Sequence, residues 1–114
     1  MVVKAADQRI EMRTSMRGGN GTIEVRHLVD ESKTFGKTRM MSRLTFPKGA
    51  SIGKHPHEIE AEAYIILSGE ATVTENDEVY KVGPGDAVFT GNGDSHSIEN
   101  TGDGELVILA IIFN

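Results

Sequence analysis

The sequence predicts an all-β fold, a closed sandwich or barrel, on three observations. Short segments carry apolar residues at a two-residue period, glycine-rich turns separate them, and helical spacing finds little support. The 114 residues include 13 glycines, and the length is that of about one domain.

Residues 1–17 are compatible with a short helix or a loose arm and are expected as an N-terminal arm or short element, ahead of a single barrel domain over residues 18–114. Arg17-Gly18-Gly19-Asn20-Gly21 reads as a loop. In Thr22 to Leu28, Ile23, Val25 and His27 share one face, while Glu24 and Arg26 take the other. In Thr38 to Phe46, one face carries Met41, Arg43 and Thr45 and the other Met40, Ser42, Leu44 and Phe46; Pro47-Lys48-Gly49 ends the segment. Strands are then expected at Glu62 to Leu67, Ala71 to Thr74, Glu78 to Val82, Ala87 to Thr90 and His96 to Glu99, with turn residues between them. Leu106 to Phe113, LVILAIIF, is too short to span a bilayer and is expected to be buried on both faces, by the core or by a second subunit.

Composition excludes several chemistries. The chain has no cysteine, which removes disulfides, thiol nucleophiles and cysteine-ligated zinc or iron–sulfur sites. Twelve Lys and Arg against 17 Asp and Glu give a formal net charge of -5, and aromatic residues are only 5% of the chain, a poor fit to nonspecific nucleic-acid binding. The first residues, MVVKAADQRIEM, carry charges where a signal peptide would need an unbroken apolar run, so a soluble cytoplasmic protein without a membrane partner is expected.

Four side chains carry the candidate chemistry. His55-Pro56-His57 places two imidazoles on the same face of a strand, Glu62 follows closely enough to return a carboxylate toward them, and His96 opens a later strand after a tight loop. If they converge, three imidazoles and one carboxylate suit a divalent iron, manganese, nickel or zinc ion with positions left open. Taken singly, each residue has a plainer reading: a surface histidine in a turn, or a carboxylate in the acidic run HEIEAEAY.

The spacing resembles the two sequence motifs of the cupin superfamily. Gly49, His55, His57, Glu62 and Gly69 fit the first without a gap, and Gly85, Gly93, His96 and Asn100 fit the second, with Gly91 where the motif has proline. The resemblance implies a jelly-roll β-barrel with one divalent ion per chain, iron or manganese favoured, bound by His55, His57, Glu62 and His96. It also implies a homodimer, for which Thr22 to Leu28 and Leu106 to Phe113 offer apolar surface.

The implied function is that of a metal-dependent enzyme acting on a small polar or acidic organic molecule, by polarisation or oxygen activation. The alternative is a metal-containing binding or sensing module without turnover. The HEIEAEAY region looks like that of oxalate-decarboxylase-like cupins, but Ile52 stands where those enzymes have an arginine. Tyr64, Ile66 and Ser68 share the parity of Glu62, and Ile98 that of His96; Tyr64 is the candidate catalytic residue, able to offer a phenolic proton to a bound anion. Arg39 or Arg43 would neutralise a substrate carboxylate if either faces inward, Arg17 and Arg26 are expected only in salt bridges or subunit contacts, and Met40 and Met41 in packing. His27 receives no role.

Overall fold

The computed structural model describes all 114 residues. Ten strands make up the fold: β1 (Arg9–Thr14), β2 (Thr22–His27), β3 (Thr38–Phe46), β4 (Ser51–Pro56), β5 (Ala61–Ser68), β6 (Ala71–Glu75), β7 (Glu78–Val82), β8 (Ala87–Thr90), β9 (Ser95–Asn100) and β10 (Leu106–Phe113). They form two antiparallel sheets, β1-β2-β3-β10-β5-β8 and β4-β9-β6-β7, in a jelly-roll arrangement. The only helical elements are three single 3-10 turns, Ala5–Asp7, Met16–Gly18 and Glu31–Lys33, and no helix is long and apolar enough to cross a membrane.

Alternation in the sequence becomes alternation in burial. Along β3, Met40, Ser42, Leu44 and Phe46 are buried, while Arg39 and Arg43 are exposed. The core joins Ile23, Val25, Phe46, Ile66 and Ile108 of the larger sheet to Ile52, Val73 and Ile98 of the smaller. Strands β2, β3, β5, β9 and β10 each bury alternate residues in the interior, the dominant stabilising term in a chain this small.

Three expectations change. Residues 9–14, expected within an arm or short element, pair with β2 over their whole length, Arg9 opposite His27 and Thr14 opposite Thr22. Their alternation runs with Glu11 and Arg13 half-buried and Ile10 and Met12 exposed, so the apolar side of this edge strand faces away from the core. Ser68 is exposed despite its parity with Glu62, because the β5–β10 register shifts there, Val107 facing Ser68 while Ile108 faces Ile66. The core alone does not bury β10 on both sides: Leu106, Ile108, Ala110 and Ile112 are inside, whereas Val107, Leu109 and Ile111 are half-buried on the outer sheet face and Phe113 is exposed.

Candidate metal centre

The four candidate ligands come from three strands and one connection, brought together by register. In the β4–β9 pair, His55 lies directly opposite His96 and Pro56 opposite Ser95. His57 follows just beyond β4, where its N–H donates to the Asp94 carbonyl at 3.0 Å and its own carbonyl accepts from the Gly93 N–H at 2.9 Å. Gly93, at φ +89°, with Asn92 at φ 55°, forms the left-handed turn that delivers His96. Gly91 serves in place of proline there, its carbonyl accepting from the Asp94 N–H at 3.0 Å. Glu62 reaches in from the other sheet, where it pairs with Thr90 and Ile112.

The result is a cluster of donors with their tips together. The ligand atoms of His55, His57, Glu62 and His96 all lie within 4.8 Å of one another. His96 Nε2 stands 3.0 Å from His55 Nε2, 3.1 Å from His57 Nε2 and 3.0 Å from Glu62 Oε1. Glu62 Oε1 is also 3.0 Å from His57 Nε2 and 3.7 Å from His55 Nε2. Donors about 2.1 Å from one ion and at right angles to each other stand about 3.0 Å apart, the spacing that His96 Nε2 keeps to the other three donors and Glu62 Oε1 to His57 Nε2.

The outer nitrogens support the same geometry. His55 Nδ1–H donates to the Gly53 carbonyl at 2.7 Å, which leaves Nε2 as the bare, inward-facing donor. Behind His96, the Thr90 hydroxyl donates to Glu75 Oε2 at 2.8 Å and so accepts from His96 Nδ1–H, also at 2.8 Å. Such partners set the imidazole tautomer and aim the ring. The Glu75–Thr90–His96 chain has no sequence signal: Glu75 and Thr90 are ordinary strand residues until β6–β9 pairing puts Glu75 beside His96 and β5–β8 pairing puts Thr90 beside Glu62.

Electrostatics agree with ligation. All four residues are buried, His96 to 1% exposure and Glu62 to 4%. Burial pushes the Glu62 carboxyl up, but hydrogen bonding and charge from His55, His96 and His57 outweigh it and hold the group at about 2, so it is a carboxylate. Burial lowers the pKa of His57, with His96 and His55 adding to the effect and Glu62 opposing it; the neutral imidazole is the form a metal needs. Tyr64, almost fully buried, stacks on His96, and burial followed by the Glu62 charge raises its phenol well above the ordinary value. It therefore stays protonated and keeps a proton to donate.

A small cavity of about 60 Å³ opens onto the cluster and is lined by His55, His57, Glu62 and Tyr64, with Ile52 and Met40 on its apolar wall. Arg13, Arg17 and Arg39 also line it. A larger groove of about 440 Å³ between β6–β7 and β8 contains none of the four donors. Both arginines weighed for an inward charge lie on the exposed face of β3, and Arg43 does not line the cavity. Arg39 reaches the cavity but is forked onto Glu60, one arm at 2.7 Å. Arg17 makes no hydrogen bond or ion pair within the chain and stands, exposed, at the cavity. Arg26 gives one bond to the Ala5 carbonyl at 3.2 Å. His27 acquires a role as well, since its Nε2–H donates to Glu11 and its Nδ1 accepts from the Ser42 hydroxyl at 3.0 Å, tying β1 to β2 and β3.

A two-sheet jelly roll with a buried three-histidine, one-glutamate cluster at its mouth defines a class: small β-barrels whose candidate metal site is typical of metal-dependent enzymes acting on small organic acids. Residues 42–112 match the cupin domain family, and the chain belongs to it. It is 42% identical over 112 residues to an oxalate-binding protein of Thermotoga maritima, covering 98% of this chain and 93% of that one. It superposes on the crystal structure of a predicted oxalate decarboxylase from Thermotoga maritima with a TM-score of 0.93 and 42% identity, covering 99% and 98% of the two chains. The polyketide cyclase RemF from Streptomyces resistomycificus has the same fold, with a TM-score of 0.80 at 20% identity over 99% of this chain and 78% of that one.

Proposed function

We propose that this protein holds one divalent ion, iron or manganese in preference to nickel or zinc, through His55, His57, Glu62 and His96, and acts there on a small dicarboxylate of the oxalate class. The observation that carries the reading is the convergence of four buried donors within 4.8 Å of one another beside a cavity lined by cationic side chains. The ion, when bound, polarises a carboxylate and, as iron or manganese, activates oxygen. The chain's own residues do the rest. His55, His57, Glu62 and His96 would hold the ion, Ile52 and Met40 give the cavity an apolar wall, and Tyr64 offers a phenolic proton in the role of catalytic residue.

Two names among the relatives bear on the substrate, one specifying oxalate binding and the other a predicted oxalate decarboxylase. A second reading, capture without turnover, is favoured by the lining itself: beyond the four donors it offers Tyr64 as a proton donor but no further carboxylate or imidazole as a base. The test is metal analysis of the purified protein, followed by titration of the loaded and the chelator-stripped forms with oxalate. About one ion per chain and oxalate binding by the loaded form alone is the expected result; equal binding by the stripped form would sink the proposal. Product analysis of the loaded protein with oxalate, under air and under nitrogen, separates enzyme from binder.

In this reading residues 18–114 form the barrel and residues 1–17 an arm at its edge, and the protein works as a cytoplasmic homodimer. Support for the dimer is the outer face of the larger sheet, where Leu109, Ile111 and Phe113 of β10 adjoin Leu67 of β5 and Phe89 of β8, with Phe89 and Phe113 ring centroids 6.2 Å apart. Sedimentation of wild type and Leu109→Glu tests it, the dimer mass being expected only for the first.

A further inference from the structure

Three arginines line the cavity, and two of them are spoken for. Arg13 donates to Glu11 at 2.7 Å and Arg39 is forked onto Glu60. Arg17, an exposed residue, has no partner within this chain, and its backbone conformation is a costly one. It sits at φ 52°, ψ 32°, two residues after Ser15 at φ 55°, ψ 44°. The left-handed region costs a non-glycine residue about 1–2 kcal/mol, so such a turn persists only where its surroundings dictate it.

The surroundings do so at four points. Met16 packs against the core. Asn20 and Ser51 exchange two bonds, the Ser51 N–H to the Asn20 carbonyl at 2.8 Å and the Asn20 N–H to Ser51 Oγ at 2.9 Å. Gly19 and Gly53 then let the turn lie directly on β4. A Cβ at Gly53 would stand 2.1 Å from the Arg17 carbonyl oxygen, and one at Gly19 would stand 2.2 Å from the Ser51 carbonyl oxygen. Gly53 is also the residue whose carbonyl holds His55. The turn and the first ligand are therefore registered against the same backbone position.

We infer that Arg17 is the anion anchor of this site, its free guanidinium gripping the outward carboxylate oxygens of a small dicarboxylate whose inner oxygens face the four-donor cluster. The inference rests on the dicarboxylate reading above and adds the residue that selects two carboxylates over one. A planar fork of donors suits a carboxylate edge, whereas an ammonium at the same place would supply charge without the paired geometry. The cavity, at about 60 Å³, limits the ligand to a few carbons.

The experiment compares metal-loaded wild type with Arg17→Asn, because asparagine tolerates left-handed backbone and keeps the turn while removing the charge. Oxalate, malonate and acetate are titrated calorimetrically, with metal content measured before and after. Expected is a loss of tenfold or more for oxalate and malonate, about 1.4 kcal/mol per tenfold, with acetate affinity and metal content changed less than twofold. Arg17→Lys should recover part of the loss. Dicarboxylate affinity unchanged in Arg17→Asn, or acetate weakened to the same degree, would overturn the anchor while leaving the metal-dicarboxylate reading intact. A loaded wild type that binds none of the three overturns both.

Discussion

The phenol ring of Tyr64 lies parallel to the imidazole of His96, with centroids 4.8 Å apart and planes 6° apart. One face of the buried ligand is thus fixed by an aromatic plate on β5, while its far nitrogen is fixed by Thr90 on β8. Phenylalanine keeps the plate and removes the hydroxyl. We expect Tyr64→Phe to hold its metal and its melting temperature and to weaken oxalate binding severalfold. Tyr64→Ala should instead destabilise the fold by about 3–5 kcal/mol through the cavity left behind, read by urea unfolding.

His55→Ala and His96→Ala should each lose most of the bound metal, measured by elemental analysis of the purified protein. Thr90→Val is the finer test. It removes the hydroxyl linking His96 to Glu75 and leaves every ligand in place. Metal affinity is expected to fall about 10–100-fold, in a competition titration against a chelator.

Gly53→Ala places a methyl against the Arg17 carbonyl oxygen, where no flexible side chain can yield. The turn must lift, at a cost of about 1–3 kcal/mol. Oxalate affinity should fall along with stability, whereas Gly36→Ala, at a position with open space around it, should leave oxalate affinity at the wild-type value.

Glu11 governs an acid-sensitive part of the fold away from the metal. Hydrogen bonds from Arg13 and then His27 lower its carboxyl from 4.5 to about 2. Because the folded value lies below the unfolded one, the group contributes fully above about pH 4.5, and the contribution is lost as pH falls toward 2. Solvent screening limits it to roughly 0.5–1 kcal/mol. Stability curves of wild type and Glu11→Gln should therefore be separated at neutral pH and converge in acid; curves that stay parallel down to pH 2 would remove this role.

Much of the site could be read from the chain because its parts are local. His55 and His57 share a strand face by parity, the Asn92-Gly93 turn is written in its residue types, and Glu62 and Tyr64 follow the alternation of β5. The roles of Arg17, Thr90, Glu75 and His27 were not legible. Each depends on a neighbour far away in sequence, as Thr90 does on Glu75 and His27 on Glu11 and Ser42. Strand β1 was missed although Arg9 to Thr14 alternates, because its apolar residues Ile10 and Met12 end up exposed and its place in the sheet comes from pairing with β2.

By itself the sequence determined the all-β class, the strand faces and the four donors, since side-chain period and turn chemistry act over a few residues. Tertiary structure alone decided which cation at the cavity is left without a partner in the chain. Arg39 and Arg43 were the arginines weighed from the sequence, yet one is paired with Glu60 and the other turned outward, while Arg17 is held at the cavity by a left-handed turn laid against two glycines. That outcome turns on backbone approach between segments more than thirty residues apart, which no local pattern encodes.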